Sequence, residues 1–164
     1  KYRRLPAEAD SAYAGEKRVE NREVINDVLV HLFNEIMELE EQAIITEEYK
    51  DITNNDMHII EAIGLSGENT MSSVAKKLKI TAGSLTNAVN ALVRKAYVKR
   101  ERSEEDRRVV YIALTEKGEK AFYHHEQFHR QMTNAVIEKL DDEEIDALVK
   151  MLKDISAFFR SYQS

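Results

Sequence analysis

Apolar positions along this chain follow a helical period over most of its length and an alternating period over one short stretch. Val24, Ile25, Val28, Leu29, Leu32, Phe33, Ile36 and Met37 form adjacent pairs repeated every four residues. The pattern predicts a long helix over 19–47, with a stripe wide enough to face both its own core and a partner. Ahead of it, residues 1–18 mix charges with Pro6 and Gly15 and predict only an extension. Thr53 followed by Asp56 predicts a capped helix start with an acid near the positive end of the helix dipole. Met57, Ile59, Ile60 and Ile63 then face inward until Gly64 and Gly67 stop that helix.

Thr70 opens a shorter helix, with Met71, Val74, Ala75 and Leu78 inward and Lys76, Lys77 and Lys79 outward. A break at Ile80 and Thr81 leads to a third helix from Ala82 to near Ala96, whose apolar face is Leu85, Ala88, Val89 and Leu92. The period then becomes two. Stretches 97–102 and 108–114 flank the polar run Ser103-Glu104-Glu105-Asp106, which predicts a β-hairpin with Val110, Ile112 and Leu114 on one face. Thr115 caps a long helix through Phe122, Tyr123, Phe128, Met132, Val136 and Ile137. Asp141 with Glu144 caps a last one, carrying Ile145, Leu148, Val149, Leu152, Ile155, Phe159 and Tyr162.

The fold class expected from this order is mainly α with a small β-hairpin wing. It is a winged helix-turn-helix over 53–115 between long dimerisation helices at 19–52 and 116–164. Phe122, Tyr123, Phe128, Phe158, Phe159 and Tyr162 are more aromatic surface than one small winged domain can bury, and such a surplus marks an interface.

Charge sharpens the picture. The chain of 164 residues has a net charge of −6, which taken alone argues against nucleic acid. Between Thr70 and Tyr111, however, ten basic and four acidic residues give +6, leaving −12 for the remainder. A basic segment in an acidic protein is expected where one face meets phosphate. On the third helix, Thr81, Gly83, Ser84, Thr86, Asn87, Asn90 and Arg94 lie outside the apolar face. Short hydrogen-bonding side chains on a groove-sized helix suit base edges, and Asn can pair with adenine through two bonds. Arg107 and Arg108 at the hairpin tip suit a minor groove, and Lys99, Arg100 and Arg102 suit the phosphate backbone. Solvated helices and hairpins look similar, and winged helices also serve as protein-docking modules, so the pattern alone leaves both readings open.

Four stretches carry a resemblance. They are Leu78-Lys79-Ile80-Thr81-Ala82-Gly83-Ser84-Leu85-Thr86, Leu92-Val93-Arg94-Lys95-Ala96-Tyr97-Val98, Arg102-Ser103-Glu104-Glu105-Asp106-Arg107-Arg108 and Leu114-Thr115-Glu116-Lys117-Gly118. Together they resemble the recognition helix and wing of the MarR family. The resemblance implies a homodimer on double-stranded DNA with a pseudo-palindromic operator. It also implies that Asp106 orients Arg108 into a minor groove. Ala96 stands where the family commonly has Gly, a change expected to tighten that helix end. Leu29-Val30-His31-Leu32-Phe33-Asn34, Glu38-Leu39-Glu40-Glu41, Tyr49-Lys50-Asp51-Ile52 and the run from Asp56 to Gly64 resemble the branch that represses fatty-acid synthesis genes. That branch implies long-chain acyl-acyl carrier protein as corepressor, with acyl carrier protein as a partner. The acyl chain is then expected in an apolar tunnel near Leu29, Phe33, Ile36, Met37, Met57, His58 and Ile60.

Other chemistry is sparse. No cysteine is present, which excludes disulfides, thiolate metal ligands and thiol catalysis and is compatible with the cytoplasm, the expected setting. No apolar run approaches the roughly 18 residues that span a bilayer, and the start is too polar for a signal peptide. His125 and His129 lie four apart on one helix and form a plausible zinc pair, against the commoner case of surface histidines that are solvated or hydrogen-bonded. His58, among apolar neighbours, reads as a structural histidine. Glu126-Gln127-Phe128-His129 has the Glu-x-x-His form of di-iron bundles, but no second copy accompanies it. Neither an enzyme, a resident metal nor a cofactor is expected.

Overall fold

The computed structural model describes residues 16–162, with side chains from residue 21 onward. The expected extension over 1–18 thus falls mostly outside the described residues, although helix α1 (Glu16–Asp27) already begins within it. A π-helical turn at Val28–Leu32 joins α1 to α2 (Phe33–Ile44), and its flanking residues Asp27 and Phe33 keep helical dihedrals, so the helical run is unbroken. The run stops three residues short of the expected 47. There the chain turns so that Tyr49 and Ile52 can join Ile44 in the core.

Helix α3 (Asn54–Ile63) starts as its sequence predicts. The Thr53 side chain accepts from the Asp56 N–H and the Asp56 carboxylate accepts from the Thr53 N–H, a reciprocal capping box. It ends at Gly64, whose φ of 64° is the left-handed conformation glycine adopts without a Cβ penalty. Helices α4 (Met71–Leu78) and α5 (Ala82–Arg94) form the helix-turn-helix, followed by β2 (Val98–Arg102) and β3 (Val110–Leu114). Helices α6 (Glu116–Ile137) and α7 (Asp142–Ser161) complete the chain, the latter opened by the expected Asp141/Glu144 capping box.

The hairpin has company. A two-residue strand β1 (Asn69–Thr70) pairs antiparallel with β3, giving the order β1-β3-β2. Two residues cannot display an alternating period, so β1 leaves no signal in the sequence. Register within the hairpin runs from Val98↔Leu114 to Arg102↔Val110.

The described residues divide into two compact units. One comprises the segments up to Ile36 and from Met132, and the other is Met37–Gln131. The second holds the hydrophobic core, in which Met57, Ile60, Val74, Leu85, Leu92 and Ile112 are completely buried. The first is different in kind. Helix α7 buries none of its residues, and Val149, Leu152, Ile155, Phe158 and Phe159 are all exposed, as are Val24, Ile25, Leu29 and Phe33.

The end of α5 corrects one expectation. Ala96 has φ 61°, while Tyr97 N–H donates to the Leu92 carbonyl across the helix end. This is the helix stop that a glycine normally supplies. Alanine there does not tighten the end; it places a Cβ in the left-handed region, at a cost of about 1–2 kcal/mol. Ala96→Gly should therefore raise stability by roughly 0.5–1 kcal/mol after the entropy of a freer unfolded chain is subtracted. A higher urea midpoint with an unchanged slope is the expected result, and a lower midpoint would contradict the strain.

Candidate nucleic-acid interface and a buried histidine cluster

The polar face of α5 is organised by its own hydroxyls. Thr81 caps the helix by accepting from the Ser84 N–H at 3.2 Å, and the two hydroxyls lie 2.9 Å apart. Thr86 donates back to the Ala82 carbonyl at 2.7 Å. Each of these three side chains is thereby fixed at the N-terminal half of the helix. Asn87 and Arg94 on the same stripe are exposed, and no hydrogen bond holds either among the described residues. Asn90 is different: its Oδ1 accepts from Arg100 Nη2 at 2.7 Å.

The wing tip is held by local polar contacts. Ser103 Oγ accepts from the Glu105 and Asp106 N–H groups, and Ser103 N–H donates to the Val109 carbonyl. Within that loop the Asp106 carboxylate accepts from the Arg108 N–H at 2.9 Å, from Nε at 3.2 Å and from Nη2 at 3.3 Å. The backbone and side-chain bonds from Arg108 hold the Asp106 carboxyl below the usual carboxylate range. Arg108 meanwhile stays 92% exposed, so the acid fixes its direction without covering it. Arg102 and Arg107 are exposed as well. Lys99 is instead paired with Glu101 at 2.7 Å, which raises the lysine's affinity for its proton and offsets its charge locally.

Behind this surface, Tyr97 joins three elements. Its hydroxyl donates to Asp51 at 2.7 Å, Lys117 reaches the other oxygen of Asp51 at 3.0 Å, and the Lys117 ammonium lies 3.9 Å from the centre of the Tyr97 ring. Burial, then the neighbouring Asp51, push the Tyr97 hydroxyl far up. Burial opposes ionisation of Asp51 too, but the bonds from Tyr97 and Lys117 outweigh it and keep its carboxyl low. Lys95, the α5 C-cap, is tied to Asp56 at 3.0 Å.

A second constellation lies in the same unit. His125 is only 1% exposed, so of its reading as a solvated or hydrogen-bonded surface histidine the hydrogen bonding holds and the surface position does not. Its Nε2 lies 2.9 Å from Glu40 Oε1 and 2.9 Å from His129 Nε2, and His129 Nε2 lies 3.4 Å from the same Glu40 oxygen. A single proton on His125 Nε2 cannot serve both short contacts. His58, expected as a structural histidine between apolar neighbours in the sequence, sits 3.8 Å from both Glu40 and Glu61, with its ring edge-on to His125. Burial opposes a charge on Glu40, yet bonds from His125 and Asn54 and the nearby His58 hold its carboxyl low. Glu40 and Glu61 had no signal of their own in the sequence. Each stands in an ordinary-looking acidic helix stretch, and only the packing of α2 and α3 against α6 brings them to the histidines.

The residues expected to line an acyl tunnel belong to both units, Leu29, Phe33 and Ile36 to the first and Met37, Met57, His58 and Ile60 to the second. Met57 and Ile60 are packed in the core of the second unit, and His58 belongs to the histidine cluster. Leu29, Phe33 and Met37 are exposed and Ile36 is half-buried.

Comparison with known proteins accords with this geometry. Residues 42–125 match the family described as transcriptional regulator SarA/Rot. Streptococcus pneumoniae FabT, solved in complex with DNA, is 37% identical; the match covers 85% of this chain and 98% of that one, with a TM-score of 0.79. An HTH-type transcriptional regulator of Bacillus subtilis, YpoP, is 29% identical over 65% of this chain and 75% of its own length. The MarR family transcription regulator SP03579 shares the fold, with 17% identity, a TM-score of 0.72 and coverage of 90% and 97%. The chain belongs to the MarR/SarA-type family of winged-helix, DNA-binding transcriptional regulators.

Proposed function

We propose that this regulator represses fatty-acid synthesis genes as a homodimer and that long-chain acyl-acyl carrier protein is its effector. The observation that carries the reading is the similarity to FabT over nearly the whole of that protein, joined to the sequence resemblance to the fatty-acid repressor branch. The exposed apolar residues between Val24 and Met37 and those of α7 support the homodimer, because so many are rarely left to water. Two-fold symmetry then sets two α5 helices and two Arg108 side chains on one duplex. With Met57 and Ile60 already consumed by the core, the acyl chain relies on exposed apolar residues such as Leu29 and Phe33. Each methylene withdrawn from water contributes about 0.8 kcal/mol, so affinity climbs with chain length until the apolar surface is used up. Titrating operator binding with acyl-acyl carrier proteins of increasing length should give a progressive rise in DNA affinity. A flat response at every length would sink the acyl reading while leaving DNA binding intact.

A specific observation favours a second reading, control by a divalent cation of the zinc type. Glu40, His125 and His129 converge with ligand atoms 2.9–3.4 Å apart. Four ligands around zinc at about 2.0–2.1 Å stand roughly 3.3 Å from one another, so little movement is needed to admit an ion. A cation would also replace the single proton that cannot serve both short contacts of His125 Nε2. Glu61 lies 3.7 Å from His125 Nδ1, where a carboxylate orients a ligating imidazole. Calorimetric titration of chelator-treated protein with zinc should give one site per chain, lost in Glu40→Gln and in His125→Ala. Its affinity should fall on acidification, because protons compete with the metal for the ligand atoms. Unchanged binding in both variants would remove the cluster from consideration.

A further inference from the structure

The two asparagines on α5 have the same side chain but different surroundings. Asn87 is exposed, and no side-chain hydrogen bond holds its amide among the described residues. Asn90, one turn on, is half-buried and has its oxygen committed to Arg100 at 2.7 Å. The assignment of that oxygen follows from chemistry, since a guanidinium only donates and must face an acceptor. Strand register explains why Arg100 is available. Val98, Arg100 and Arg102 alternate onto one face of β2, and Val98 is buried in the core beneath α5. Arg100 therefore rises on the helix side of the strand, while Lys99 and Glu101 pair with each other on the opposite side.

With the oxygen turned to Arg100, Asn90 offers its two amide N–H donors, flanked by the remaining N–H donors of the guanidinium. Adenine recognition needs the reverse mixture, one acceptor and one donor presented together. A surface of donors alone, bearing a positive charge, suits an oxyanion. Its place agrees: recognition helices read bases from their N-terminal part, whereas Asn90 lies toward the C-terminal end, beside the wing strand. We propose that Asn90 and Arg100 form one phosphate clamp on the DNA backbone, and that Asn87 alone of the two asparagines reads a base. This division rests on the DNA-binding assignment but not on any effector.

The test measures binding to operator and to random duplex across a range of salt. Wild type and Asn87→Ala, Asn90→Ala, Arg100→Ala and Asn90→Ala/Arg100→Ala are compared, with thermal melting as a control on folding. Asn90→Ala and Arg100→Ala should weaken operator and random DNA by the same factor, on the order of tenfold for a bond to a charged phosphate. Arg100→Ala should also reduce the slope of log affinity against log salt by about one. Because Arg100 orients Asn90, the double variant should lose little more than Arg100→Ala alone. Asn87→Ala should weaken operator binding selectively. Loss confined to operator in Asn90→Ala would overturn the proposal in favour of base reading, and strictly additive losses would overturn the joint clamp. Wild-type protein that ignored DNA altogether would instead indict the DNA-binding assignment, a distinct outcome.

Discussion

The winged unit depends on how the chain passes through Tyr97. This residue is completely buried, and it sits between the end of the recognition helix and the first strand of the wing. Its hydroxyl would be costly to bury without a partner, and Asp51 supplies one while Lys117 keeps Asp51 charged. Thr115 Oγ1 donates to the Ala96 carbonyl at 2.6 Å and accepts from the Gly118 N–H at 3.1 Å, pinning the start of α6 to the same point. Gly118 is required there, because a Cβ would collide with the Tyr97 carbonyl. Helix α5, the wing and α6 consequently share one junction, and the strained Ala96 belongs to it.

That junction bears on how a basic face can be aimed. The protein as a whole is acidic and its positive charge is concentrated between Thr70 and Tyr111, so attraction to phosphate selects the face but does not by itself set the angle of approach. Direction comes instead from local fixing: the Thr81 cap, the Arg100–Asn90 bond and the Asp106–Arg108 fork each hold a polar group without hiding it. Repulsion between phosphate and the acidic remainder also favours one docking face over the others.

Much of this was legible from residue order. Thr53/Asp56, Thr70, Thr81 and Asp141/Glu144 mark helix starts because short polar side chains replace missing backbone partners, a local effect that needs no tertiary knowledge. The hairpin was legible from its change of period, and Asp106–Arg108 from the family resemblance. What stayed hidden depended on distance along the chain. Strand β1 is two residues long and exists only because β3 has a free edge. Glu40 meets His125 from 85 positions away, and no spacing rule reports such a contact. The wide stripe from Val24 to Met37 fits a tunnel wall as well as a dimer face. A stripe gives the amount of apolar surface but not its partner, and here Met57 and Ile60 were taken by the core.

The proposed function requires two recognition helices delivered to one duplex by a symmetric dimer. Selection of bound sequences from random DNA by the full chain tests it most directly. The expected result is enrichment of a pseudo-palindrome whose half-sites are centred about one helical turn, or roughly 10 base pairs, apart. Enrichment of a single asymmetric site, or recovery of no preferred sequence at all, would contradict it.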